Sequence, residues 1–184
     1  QGVTTEALGQ DGLSYAPSSP KSLEQLLWYL AAVNGTPPPD VRWSSVKEFL
    51  DLFDSKVSSN VVFFVPHAAI RANAMGWDNR LPTQTELTQM RLLMEEGLRD
   101  GAFGFSTGLT YVPGTYSDTN ELVEISKGLK DYGGIYVSHC RYSLGDTLLD
   151  PFREAIQIGE EAEVPVQISH YHNPLSLPSA EHSH

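Results

Sequence analysis

The sequence predicts an α/β fold, a parallel β/α barrel of the TIM type that is incomplete at five strands, and three observations predict it. Short apolar strand-like runs alternate with amphipathic helices along the chain, as in an all-parallel sheet covered by helices. Two of those runs, Ile135-Tyr136-Val137-Ser138-His139 and Val164-Pro165-Val166-Gln167-Ile168-Ser169-His170, end in histidines thirty-one residues apart, the length of one strand, crossover helix and returning parallel strand. Polar or ionisable residues fall at the end of every strand, at Asp11, His67, Ser106, His139 and His170, so one rim collects them. An open doubly wound sheet would share the alternation, but its Gly-x-Gly-x-x-Gly phosphate signature is missing, which favours the barrel.

The elements follow in order. Val3 to Leu8 is a short β-branched strand ended by the turn residues Gly9-Gln10-Asp11-Gly12. Leu23, Leu26, Leu27 and Leu30 recur at helical spacing, and Asn34-Gly35 with Pro37-Pro38-Pro39 stops that helix. Ser45 and Glu48 form a capping box for a short helix with Val46, Phe49, Leu50 and Phe53 on its apolar face. Val61 to Val65 reads as a strand buried on both faces, ending at Pro66-His67. Thr83 and Glu86 cap a helix carrying Leu87, Met90, Leu93, Met94 and Leu98, with Gly101 as its stop. Ala102 to Ser106 is the third strand, followed by the loop Thr107 to Gly114. Asp118 caps a helix with Leu122, Ile125, Leu129 and Tyr132 inward, closed by Gly133-Gly134. Asp150 as cap, with Pro151 at the first helical position, opens a helix to about Glu163. Residues 1–174 are expected to form the partial barrel domain and residues 175–184 an irregular tail.

Composition narrows the function classes. The 184 residues are 40% hydrophobic and 10% aromatic, enough to bury one sizeable core. With 23 acidic against 12 basic residues the net charge is −11, which argues against nucleic acid or an anionic membrane as partner and for a small molecule. The single cysteine, Cys140, excludes an intramolecular disulfide framework and lacks a partner pattern for nucleophilic catalysis, so it reads as a small buried residue. No apolar run reaches the roughly 18 to 20 residues of a membrane span, and a cytoplasmic location is expected. The chain opens on Gln1 inside what already looks like a structural element, so it reads as an internal piece of a longer protein.

Neutral imidazole is a common zinc ligand, and barrel enzymes collect their chemistry at the carboxyl ends of strands. His139 and His170 therefore read as two ligands of one metal, with nitrogens expected within roughly 3 to 5 Å of each other. Asp11, before Gly12, reads as a turn-former at the same rim. His67 could reach the same rim toward substrate or serve structurally. Arg141 faces either a substrate carboxylate or a nearby acid such as Asp150.

At this point a family resemblance emerges. Gly2-Val3-Thr4-Thr5 with Gly9-x-x-Gly12, then Gly108-Leu109-Thr110-Tyr111-Val112-Pro113-Gly114, then Ser138-His139 and Ile168-Ser169-His170, together resemble the N-acyl-D-amino-acid deacylases (D-aminoacylases) of the amidohydrolase superfamily, from Gly2 to about Pro174. The resemblance implies a zinc-dependent (β/α)8 barrel, with these five strands standing for strands two to six and His139 and His170 for the histidine ligands of strands five and six. It places Tyr111 beside the substrate's acyl carbonyl, where a phenol can donate to a developing oxyanion. Two departures stand out. Asp11 occupies a position where the family typically has a metal-ligating cysteine, so the resemblance implies that it is either a third ligand, across the barrel and further off, or only a turn-former, and His172 stands where the family often has a lysine in the substrate site.

What the resemblance implies is hydrolysis of the linear amide of an N-acyl-D-amino acid, with zinc polarising the carbonyl and activating a water. A cyclic-amide hydrolase of the hydantoinase or dihydropyrimidinase kind is the alternative. It ranks lower because such relatives usually carry a bridging lysine at the end of the strand that here reads Phe105-Ser106-Thr107. A catalytically inactive barrel fragment is the third reading, since the family's His-x-His strand and its aspartate strand would both lie outside this sequence and five strands cannot close a barrel.

Overall fold

In the computed structural model, which describes residues 2–143 and 149–170, five parallel strands form one sheet in the order of the sequence. The elements are β1 (Thr5–Leu8), α1 (Pro20–Asn34), α2 (Val46–Asp51), β2 (Asn60–Pro66), α3 (His67–Met75), α4 (Gln84–Arg99), β3 (Gly104–Gly108), α5 (Thr119–Ser126), β4 (Ile135–His139), α6 (Asp150–Ala162) and β5 (Val166–Ile168). Each strand lies beside the next in the chain, as in a single-wound barrel wall, so the sheet is an incomplete (β/α) barrel.

Burial follows position in that sheet. Phe63, Val65, Phe105, Tyr136 and Val137 on the three inner strands are fully buried, whereas β1 and β5, the outer strands, stay largely exposed or half-buried. The helices pack their apolar stripes against the sheet: Leu87, Met90, Met94 and Leu98 from α4, Leu122 and Ile125 from α5, Phe152, Ala155 and Ile158 from α6. The capping boxes expected at Ser45 with Glu48 and at Thr83 with Glu86 are both formed, and Asp118 accepts from the Glu121 amide at 2.8 Å. Ser19 and Ser22 close a further box ahead of α1.

Several boundaries differ from expectation. β3 runs from Gly104 to Gly108, two residues later than expected, because its pairing with β4 sets the register Gly104 to Ile135 through Gly108 to His139. The strand end is therefore Gly108, next to His139. α3 begins directly at His67 with no side-chain cap, so the local signals that announce other helices are missing here. After Ser126 the chain tightens into a 3₁₀ segment, Lys127–Tyr132, which changes the rotation per residue and leaves Tyr132 42% exposed rather than inward. Asp150 is the first residue of α6 rather than its cap, Leu149 holding that position without a side-chain bond, and its carboxylate pairs with Arg153 at 2.8 Å. No helix among the described residues is long and apolar enough to cross a membrane.

Candidate metal centre at the strand ends

His139 is the last residue of β4 and is 8% exposed; His170 lies two residues beyond β5, on the same rim. Their ring centroids are 5.1 Å apart at 79°. One donor atom from each, together with one carboxylate oxygen of Asp11, lies within 4.8 Å of the others, the convergence a shared ion requires.

The position of Asp11 corrects the expectation that it would stand across the barrel. Its Oδ2 accepts from His170 Nε2 at 2.9 Å, although the two residues are 159 apart in the chain. The reason is the turn after β1, a short 3₁₀ segment at Gln10–Gly12 that folds over the strand ends instead of leaving the rim. Asp11 has φ 55 and ψ 26, the left-handed region that aspartate tolerates better than most residues. The Gly12 amide donates to the buried Ser106 Oγ at 2.9 Å, which pins the turn to β3. Two glycines make this approach possible: a Cβ at Gly12 would lie 2.6 Å from Gly108 N, and one at Gly108 would lie 1.9 Å from Asp11 O. Gly108→Ala is therefore expected to destabilise by at least the ~1–3 kcal/mol usual for overpacking, since backbone rather than a flexible side chain is in the way. Urea unfolding would show it as a lower midpoint at unchanged slope; a midpoint equal to wild type would mean the turn does not lie against β3.

His139 is held on several sides. Tyr111 packs beside it with centroids 4.8 Å apart at 33°, and Tyr142 meets it edge-on at 5.3 Å and 89°. Its Nε2 is 2.7 Å from Thr110 Oγ1. The Tyr142 hydroxyl donates to the His170 carbonyl, and burial pushes that phenol up to about 12, so it keeps its proton near neutrality. Neither Thr110 nor Tyr142 is picked out by the sequence, and Ser106 only as a polar strand-end residue. Thr110 sits inside the Gly108 to Gly114 motif, but nothing in the local pattern marks it as the residue that reaches the imidazole.

Other candidates lie elsewhere. His67 does not face the rim: its ring is fully buried, its Nε2 is 2.8 Å from Glu121 Oε1, and Arg71, also fully buried, reaches the same oxygen at 3.1 Å. A substrate contact at His67 is thus replaced by a buried ion-pair cluster joining α3 to α5. Arg141 meets Glu154, not Asp150, at 3.2 Å, and donates to the Thr115 carbonyl at 3.2 Å; its side chain is 11% exposed, so the fork braces the 115–117 segment instead of an open substrate site. His172 and the tail at 175–184 lie outside the described residues. Cys140 is buried and burial pushes its thiol up to about 11, which suits a packed thiol rather than a nucleophile.

Comparison with known proteins agrees with the fold. No protein-family model matches the chain. The D-aminoacylase of Alcaligenes xylosoxydans xylosoxydans is 35% identical over 179 residues, covering 93% of this chain and 34% of that protein. A crystal structure of D-aminoacylase, described as defining a novel subset of amidohydrolases, superposes with a TM-score of 0.76 at 30% identity over 94% of this chain and 35% of that one. The N-acyl-D-glutamate deacylase of Bordetella bronchiseptica, solved with zinc and a phosphonate inhibitor that mimics the tetrahedral intermediate, superposes with a TM-score of 0.73 at 27% identity over 90% of this chain and 34% of that one. The chain spans about a third of the length of these relatives. Sequence, strand order and overall fold thus agree with the N-acyl-D-amino-acid deacylases of the amidohydrolase superfamily over nearly all of this chain and about a third of theirs.

Proposed function

We propose that the protein carrying this chain hydrolyses the amide bond of N-acyl-D-amino acids with a zinc ion held by Asp11, His139 and His170. The observation that carries the reading is the convergence of those three donors at the carboxyl ends of the strands. Two imidazoles and a carboxylate form a donor set that zinc accepts, and Asp11 Oδ1 is buried without a hydrogen-bond partner among the described residues, as a ligand oxygen would be before the ion arrives. That a relative was solved with zinc and an intermediate mimic supports zinc as the metal.

Zinc, when bound, supplies Lewis-acid polarisation of the scissile carbonyl and renders a water nucleophilic near neutral pH. The chain's own residues do the rest. His139 and His170 present nitrogens from neighbouring strands, and the pinned turn brings the Asp11 carboxylate to them. Tyr111, packed at a tilt beside His139, donates its phenol to the oxygen on which negative charge develops as the carbonyl becomes tetrahedral. Arg141, through Glu154 and the Thr115 carbonyl, steadies the loop that leads away from Tyr111. On this reading the described residues up to His170 belong to the barrel domain. A small-molecule substrate fits the net charge of −11, which repels nucleic acid. A single, buried cysteine is in keeping with a cytoplasmic setting.

Assays of the full-length protein on N-acetyl-D-amino acids and their L enantiomers test the reading. Hydrolysis of the D series is expected, with activity lost on dialysis against a chelator and restored by zinc. Turnover that survives chelation would remove the metal from the reaction, and faster opening of a hydantoin would move the substrate class to cyclic amides.

A further inference from the structure

We infer that Thr110 is a positioning residue that selects which nitrogen of His139 faces the metal, an inference resting on the zinc reading above. The β3–β4 register puts Gly108 beside His139, and the Leu109 amide donates to the His139 carbonyl at 3.0 Å, so the next residue, Thr110, is carried to the imidazole edge by backbone pairing alone. Its Oγ1 then stands 2.7 Å from Nε2. The ring cannot easily turn away from this contact, with Tyr111 against one side and Tyr142 meeting it edge-on.

A neutral imidazole has one N–H and one lone-pair nitrogen, and the hydrogen bond made by one decides what the other offers. The contact occupies Nε2, so an ion would be met through Nδ1, and an imidazole that binds metal through Nδ1 carries its proton on Nε2, where the threonine hydroxyl accepts it. At His170 the Nε2 edge meets a different partner, Asp11 Oδ2, so the hydroxyl contact is particular to His139. Outer partners of metal-binding histidines act in this way elsewhere, fixing tautomer and ring orientation.

Thr110→Val keeps the shape and removes the acceptor, whereas Thr110→Ser keeps the hydroxyl. Two measurements on the full-length protein separate the ideas. In long-range ¹H–¹⁵N spectra of the metal-free protein, assigned with His139→Ala, His139 is expected as the Nε2–H tautomer in wild type and in Thr110→Ser, and as a mixture in Thr110→Val. In zinc competition against a chromophoric chelator, Thr110→Val is expected to bind about 10- to 100-fold more weakly, with Thr110→Ser close to wild type. A dominant Nδ1–H tautomer in wild type, or a valine variant indistinguishable from wild type in tautomer and zinc affinity, overturns the role of Thr110. Zinc binding that is absent from wild type, or that His139→Ala leaves intact, overturns the metal site instead, and the tautomer measurement then still decides what Thr110 does to the ring.

Discussion

His170→Ala is expected to lower zinc affinity by more than the 10- to 100-fold typical of losing an outer hydrogen-bond partner, because a ligand itself is removed. Hydrolysis of the D substrates should fall to the level of chelated wild type. The structure also gives the substitution a second effect. Asp11 loses the imidazole 2.9 Å from its Oδ2, in a turn already held at a left-handed backbone angle, so the remaining carboxylate is no longer aimed at the rim. Isothermal titration with zinc, paired with thermal unfolding, separates the two effects: a variant that melts like wild type but binds no zinc is the expected result. Wild-type zinc affinity in His170→Ala would remove this residue from the site.

Glu121→Gln is expected to cost about 3–5 kcal/mol of folding stability, the range for breaking a buried ion pair by neutralising one partner. Arg71 is fully buried, with its other nitrogens on the Asp78 and Arg80 carbonyls, and Glu121 supplies the one carboxylate paired with it among the described residues. A glutamine retains the size of the side chain and leaves that charge uncompensated. The effect has a signed pH dependence. Burial pushes the Glu121 carboxyl upward, but the His67 hydrogen bond and the charges of His67 and Arg71 outweigh it and hold the group below the usual carboxylate range. A folded-state value below the unfolded one adds stability that is complete above the unfolded value and disappears as pH falls through the folded one. The gap between wild type and Glu121→Gln should therefore be full near neutral pH and shrink in acid. A gap that is small at neutral pH, or that widens in acid, would mean the cluster is held by something other than this carboxylate.

The cluster around Glu121 also marks where local reading of the chain ends. Glu121 was legible only as part of a helix beginning at Asp118, and His67 only as the residue after a strand. Their meeting spans 54 residues and depends on α3, a helix that starts with no capping side chain and so gives no local sign of itself. Where a feature is decided within a few residues, as with the boxes at Ser45 and Glu48 or at Thr83 and Glu86, the chain announced it, because a cap is a bond between near neighbours.

What the amino-acid sequence determined by itself was the parallel alternation, the five strands in order, and His139 and His170 as residues of one rim, because period, turn chemistry and strand-end position are all local properties. What only the tertiary structure decided was which side chains meet across that rim. The shift of β3 by two residues brought Gly108 beside His139 and so carried Thr110 to its ring. The turn at Asp11, pinned by Ser106 and admitted by two glycines without side chains, carried a carboxylate to a histidine 159 residues away. Such contacts are set by sheet register and by close backbone approach, and neither leaves a periodic trace in the chain.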